Sequence, residues 1–223
     1  MVQVCPDKIL KILKEEFRTT RSTFLHSDPF ETLIATIISQ NTADKNTARA
    51  FENLSNQFKI TPEVLAKVGI DQIERCLKVA GLYRNKARTI KEVSKKILEE
   101  YHGHLEPILS LPLDEARKRL LQLQGVGPKT ADVLLLFCAR QPIIPVDTHV
   151  NRVSKSLGLA PRDGDYEAVR TSLQSLYDPK DYLAVHVLLI SHGRKYCKAR
   201  TPLCNECPIN AYCSFRHSRD KNE

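Results

Sequence analysis

Four cysteines, Cys197, Cys204, Cys207 and Cys213, stand in the spacing C-x6-C-x2-C-x5-C near the C-terminal end of a 223-residue chain. Thiolates are soft ligands, and four of them in so short a loop can hold iron or zinc. A [4Fe-4S] cluster takes cysteines at unequal spacings, because its cuboidal shape presents separate corners to separate ligands. A structural zinc site more often shows two C-x2-4-C knuckles, and only Cys204 and Cys207 form such a pair. The spacing therefore favours the cluster, with zinc as its rival. Disulfides are a third reading; seven cysteines is an odd number, and Cys5, Cys76 and Cys138 are scattered with no pairing logic.

A second centre of chemistry lies upstream, in Gln124-Gly125-Val126-Gly127-Pro128-Lys129. Two glycines allow a tight turn whose backbone amides point outward, and the helix that follows adds the positive end of its dipole. Together these can hold a phosphate oxygen. That is a helix-hairpin-helix signature, although G-V-G also makes an ordinary helix-to-helix turn. Lys129, at the start of the next helix, reads as a solvated charge, a phosphate contact, or something sharper. The dipole and an apolar wall would both favour its neutral amine, a nucleophile suited to attack on a sugar carbon. Asp147, in Pro145-Val146-Asp147-Thr148-His149, stands directly before another helical pattern. It reads as an N-cap, and the cap is compatible with chemistry: a carboxylate held ionised and aimed by backbone amides can stabilise a cationic transition state. His149 and His186 read as structural, and Cys138 as a small buried hydrophobe.

The elements that must position these groups are helices, because glycine is sparse and apolar residues recur at intervals of three and four. The stripes are Ile9 to Phe17, Leu33 to Ile38 after the entry signal Ser27-Asp28-Pro29, and Ala50 to Leu54, followed by a short helix opened by Pro62. Next come Ile73 with Leu77, then Ala87, Ile90, Val93 and Ile97 on a long helix with lysines and arginines on its other faces. Leu113 to Leu123 precedes the hairpin. Val133 to Ala139, apolar all round, follows it and is expected at the centre. Three further helices, about 148–157, 165–177 and 181–192, lead to the cysteine loop. The class is all-α. The turn Arg140-Gln141-Pro142 is the expected boundary between two compact domains.

The net charge of +8 favours polyanionic partners. No secretory signal is visible in MVQVCPDKILKILKEEF, and no apolar run approaches a membrane span. Free thiols and an iron cofactor point to a reducing intracellular compartment, cytoplasm or nucleoid.

The hairpin, the Val146-Asp147-Thr148-His149 segment and the four-cysteine loop, in that order, resemble the endonuclease III family of DNA glycosylases with AP-lyase activity, in the helix-hairpin-helix superfamily. Ser39-Gln40-Asn41-Thr42-Ala43-Asp44 and Gly81-Leu82-Tyr83-Arg84-Asn85-Lys86-Ala87 agree with it. The resemblance implies a six-helix barrel over 25–140 and an iron-sulfur cluster domain from 1–24 and 141–223, with a DNA cleft between them. It implies that Lys129 is the Schiff-base nucleophile and Asp147 the essential carboxylate, acting on double-stranded DNA with damaged bases or abasic sites. Gly125, Val126 and Gly127 would bind phosphate, and Lys198 and Arg200, on the loop between the first two cluster cysteines, would contact DNA or offset the cluster's charge. Family members that excise thymine from G·T mismatches usually carry tyrosine where Lys129 stands, so the expected substrates are oxidised pyrimidines. A mismatch or UV-photoproduct glycosylase, and a non-catalytic DNA-binding or redox-sensing module, are the alternatives. The family usually has glutamine at the place of Asn41, where a side chain enters the gap left by the displaced nucleotide; Gln40 or Leu82 are the other candidates for that gap. The chain is expected to act as a monomer.

Overall fold

The computed structural model of the chain describes residues 5–18 and 28–219, and among them there is no strand. Ser27 of the helix entry signal and the expected junction at 24 and 25 lie outside the described residues. The chain divides into two compact units, Phe24–Gln141 and a second made of Met1–Thr23 with Pro142–Glu223.

In the Phe24–Gln141 unit, α2 (Pro29–Ser39) begins where Asp28 accepts the Glu31 amide at 2.9 Å and Pro29 presets the first turn. Leu33, Ile34, Ile37 and Ile38 on it are fully buried. A helix apolar on so many faces must be central, and α2 packs on α3 (Asp44–Gln57), α6 (Tyr83–Tyr101) and α9 (Pro128–Phe137). The short α4 (Pro62–Lys67), capped by Thr61, and α5 (Ile70–Leu77) both pack on α6. Helix α6 starts four residues before the Ala87 at which its apolar stripe was read. Helix α7 (Glu106–Leu109) is absent from the sequence reading, because four residues are too few to show a period. Helices α8 (Leu113–Leu121) and α9 flank the hairpin, and Arg117 Nε reaches Asp132 Oδ1 at 2.7 Å between them. Asp132 is wholly buried, so the pair pins this corner at the cost of desolvating its carboxylate.

The second unit joins α1 (Pro6–Glu16) to α10 (Thr148–Leu157), α11 (Tyr166–Leu176), α12 (Tyr182–Lys195) and the one-and-a-half-turn α13 (Ser214–Arg219). Its core gathers Ile9 and Leu13 from α1 with Val150, Val153, Leu173, Val185 and Leu189. The two ends of the chain thus share one apolar cluster. Helix α10 ends at Gly158, whose φ of +80 suits a residue without Cβ, and the Leu159 amide returns to the Ser154 carbonyl at 2.9 Å. No helix among the described residues is long and apolar enough to cross a membrane.

Candidate functional site

The hairpin between α8 and α9 is built on two glycines with different tasks. Gly125 has φ +76, and a Cβ there would lie 2.1 Å from Thr89 Cγ2. Gly127 has ordinary extended backbone, with nothing within 4 Å of a Cβ, and its amide has no partner among the described residues. The N-cap of α9 is Gly127 itself, which has no side chain to cap the helix. The N-terminal end of α9 therefore faces outward with a donor available, as anion binding requires. Val126 departs from the sequence expectation. Its side chain is 4% exposed and its amide donates to the Leu123 carbonyl at 3.1 Å, so it anchors the hairpin to the core and offers no donor to phosphate. Lys129 is half-buried in the first turn of α9.

Two exposed turns lie near this hairpin. Asn41 and Leu82 have φ values of +52 and +57, a left-handed conformation that costs non-glycine residues free energy and needs support from its surroundings. Leu82 is 60% exposed, an unusual setting for a leucine. Gln40 uses its amide inside the protein, donating to the Gly125 carbonyl at 3.2 Å and to Thr130 Oγ1 at 3.5 Å. Its geometry is that of a brace for the hairpin. Beneath these turns lies a residue that the sequence reading missed. Lys86, on α6, is 4% exposed; it donates to the Ile38 carbonyl at 2.8 Å and to Thr42 Oγ1, and burial pushes its pKa below the usual lysine range. The signal was present in the period, since Lys86 stands one turn before Ile90 on the apolar stripe.

In the other unit, Asp147 is the N-cap of α10, its Oδ1 accepting the Val150 amide at 2.7 Å. The chain entering this cap is held from two sides. His186, buried on α12, donates from Nδ1 to the Pro145 carbonyl at 2.8 Å, and the Val146 amide donates to the Tyr166 hydroxyl at 3.3 Å. A carbonyl only accepts, so the proton of a neutral His186 is on Nδ1. His149 also has a structural setting: its ring lies 3.0 Å from where a Cβ on Gly193 would be, and Arg152 reaches its Nδ1 at 3.1 Å.

The four cysteines line one cavity of about 190 Å³, together with Arg152, His192, Lys198 and Arg216. Burial pushes the thiols of Cys197, Cys207 and Cys213 up, Cys207 to about 11, and negative charge on neighbouring cysteines pushes the same way. Four thiolates here need a cationic partner, and bound metal supplies it. Four thiols lining one cavity are the ligand set that a cuboidal [4Fe-4S] cluster takes, one cysteine to each iron. The socket is tied to its unit by Arg152 Nε on the Cys197 carbonyl at 2.9 Å, by Cys213 Sγ on the Ser156 carbonyl at 3.4 Å, and by Ser214 Oγ on the Leu157 carbonyl at 3.1 Å. His192 Nε2 lies 3.6 Å from Cys207 Sγ. Lys198 and Arg200 are exposed on the loop between Cys197 and Cys204.

Residues 34–179 match the sequence profile of the HhH-GPD superfamily of base excision DNA repair proteins, and residues 197–213 match the iron-sulfur binding domain of endonuclease III. The chain is 36% identical to endonuclease III of Sulfolobus acidocaldarius over 218 residues, 94% of this chain and 96% of that one. It is likewise 36% identical to endonuclease III of Bacillus subtilis over 220 residues, 99% of this chain and 94% of the relative. The fold superposes on the solved structure of a trapped endonuclease III–DNA covalent intermediate with TM-score 0.86 and 31% identity, covering 98% of this chain and 100% of that chain.

Proposed function

Because this chain belongs to the endonuclease III family, within the HhH-GPD superfamily of base excision DNA repair proteins, we propose that it removes oxidised pyrimidines from duplex DNA and then cuts the strand at the resulting abasic site. It is a DNA glycosylase with AP-lyase activity, and its cofactor is a [4Fe-4S] cluster on Cys197, Cys204, Cys207 and Cys213. When bound, the cluster supplies a covalent cross-link between four points of the C-terminal loop.

Lys129 is the nucleophile in this reading. DNA engages the hairpin by its phosphates and the damaged nucleotide turns out of the stack. The neutral amine attacks C1′, the N-glycosidic bond breaks, and the base leaves with its electron pair and takes up a proton. The sugar ring opens to an imine between Lys129 and C1′. That imine acidifies the C2′ proton; its removal expels the 3′ phosphate oxygen, and water then hydrolyses the imine to restore the amine. Asp147 stabilises the positive charge that develops on the sugar as the base departs, and its cap bond fixes the direction of the carboxylate. The protein acts as a monomer, with Gly125, Gly127, Lys198 and Arg200 on the DNA backbone and Asn41 and Leu82 at the gap.

The observation that carries this reading is the half-buried Lys129 in the first turn of a helix whose N-cap is a glycine, directly after the hairpin. Borohydride trapping on a panel of single-lesion duplexes tests it. Lys129→Gln should abolish the trapped adduct and strand cleavage while DNA affinity stays within about tenfold, since one charge is lost from a large interface. Asp147→Asn should slow base release about 10²- to 10⁴-fold, the range for a dedicated electrostatic group, and retain more activity on a preformed abasic site. An adduct formed by Lys129→Gln at the wild-type rate would mean that another amine is the nucleophile.

A further inference from the structure

A buried lysine is expensive unless its ammonium finds acceptors and a favourable field. Lys86 has both. Its acceptors are the Ile38 carbonyl and the Thr42 hydroxyl, at and just beyond the C-terminal end of α2, where the helix dipole is negative. The bonds continue outward. Thr42 Oγ1 donates to the Gln40 carbonyl at 3.3 Å, and the Gln40 amide donates to the Gly125 carbonyl at 3.2 Å, in the hairpin. Lys86 also stands in the first turn of α6, its own amide donating to the Leu82 carbonyl at 3.1 Å. The Asn41 and Leu82 turns touch beside it: a Cβ on Gly81 would lie 3.1 Å from the Asn41 carbonyl oxygen.

We propose that Lys86 is a positioning residue that locks the left-handed Asn41 and Leu82 turns to each other and, through Thr42 and Gln40, to the phosphate-holding hairpin. The two exposed side chains that would enter the gap and the backbone grip that holds the strand then form one rigid unit. Displacement of the nucleotide is set by the same bond chain that fixes the hairpin. The strained backbone at Asn41 and Leu82 is what this chain supports, because a left-handed non-glycine turn persists only where its neighbours over-determine it.

The inference rests on the glycosylase and lyase reading above, and the test separates the two. Cluster-loaded full-length enzyme, Lys86→Met, Thr42→Val, Leu82→Ala and the Thr42→Val/Leu82→Ala pair are compared in single turnover. One substrate is a duplex with a single oxidised pyrimidine; the other is an abasic duplex lacking the opposite nucleotide, where no gap needs filling. Thr42→Val keeps the shape and the lysine, so a Lys86→Met protein that fails to fold leaves the question answerable. The rate on the damaged duplex relative to the abasic one should fall by about tenfold or more, in line with one lost hydrogen bond to a charged group. The Thr42→Val and Leu82→Ala losses should be far from additive, because each disables the same unit. The fluorescence rise of 2-aminopurine placed opposite the lesion should shrink in Thr42→Val. Folded variants that slow equally on both substrates, or that combine additively with Leu82→Ala, would overturn the positioning role. A wild-type enzyme inactive on both substrates would instead overturn the functional reading, and the inference with it.

Discussion

Two glycines two residues apart in the hairpin do different work, and substitution can tell them apart. Gly125 needs its missing Cβ twice, for a left-handed φ and for Thr89, whereas Gly127 has room and ordinary dihedrals. Gly125→Ala should therefore cost about 1–2 kcal/mol of stability, from left-handed strain and the displaced threonine. Gly127→Val should leave the melting curve within about 0.5 kcal/mol of wild type. It should instead weaken binding to damaged and undamaged duplex alike, because the added side chain stands where a phosphate would approach the free amide. Thermal melts and fluorescence anisotropy check both; a lesion-selective loss at Gly127 would argue against simple phosphate binding. At this scale the sequence was informative where residue type restricts chemistry, as with four soft ligands or a glycine pair. It was misleading at Val126 and Lys86, whose tasks depend on which way one amide or one ammonium points. A lysine on a helix rich in lysine reads as solvated until the apolar period is followed through it.

Helix termini carry much of the candidate chemistry, and they can be tested as elements. Asp147 both caps α10 and offers its carboxylate, and the two roles separate by substitution. Asp147→Asn keeps an oxygen acceptor for the Val150 amide and should leave stability nearly unchanged, while Asp147→Ala should cost about 1 kcal/mol, the usual value of a lost cap. Both should lose base release. Equal melting curves for the two variants would mean that the cap contributes nothing. The strap that leads into this cap depends on α12: His186→Leu would leave the Pro145 carbonyl buried without its donor, at a cost of about 1–3 kcal/mol. If the strap aims Asp147, base release should fall in this variant by more than cleavage of a preformed abasic site; equal losses would reduce His186 to a purely structural role. The helices themselves were legible because period and caps coincide, as at Asp28-Pro29 and at Asp147. Helix α7 was not, being shorter than one period can declare. Helix α13 was hidden directly behind Cys213, where the cysteine spacing says nothing about the backbone that follows.

At the scale of the whole chain, the cysteine socket belongs to a unit whose core is drawn from both ends of the sequence. Cys197, Cys207 and Cys213 pack against the cluster of apolar residues from α1, α10, α11 and α12. The same burial that raises their thiol pKa values makes an iron-free socket unfavourable once the thiols ionise, so metal binding and folding of this unit should be linked. Anaerobic removal of iron, or Cys204→Ser, should lower the melting temperature, and the wild-type protein should carry about four irons with acid-labile sulfide. Lys198 and Arg200 extend the argument to DNA. Both are exposed on the loop between the first two cluster cysteines, on a chain of net charge +8. If they neutralise phosphates, replacing both by alanine should lessen the slope of log K against log salt for undamaged duplex by about 2. If the cluster is what holds that loop in place, iron-free protein that remains folded should lose the same part of the slope. The double alanine variant without iron should then lose nothing more. Independent losses would mean that the two cations reach DNA without the cluster's support, and an unchanged slope would return them to the role of counterions for the cluster.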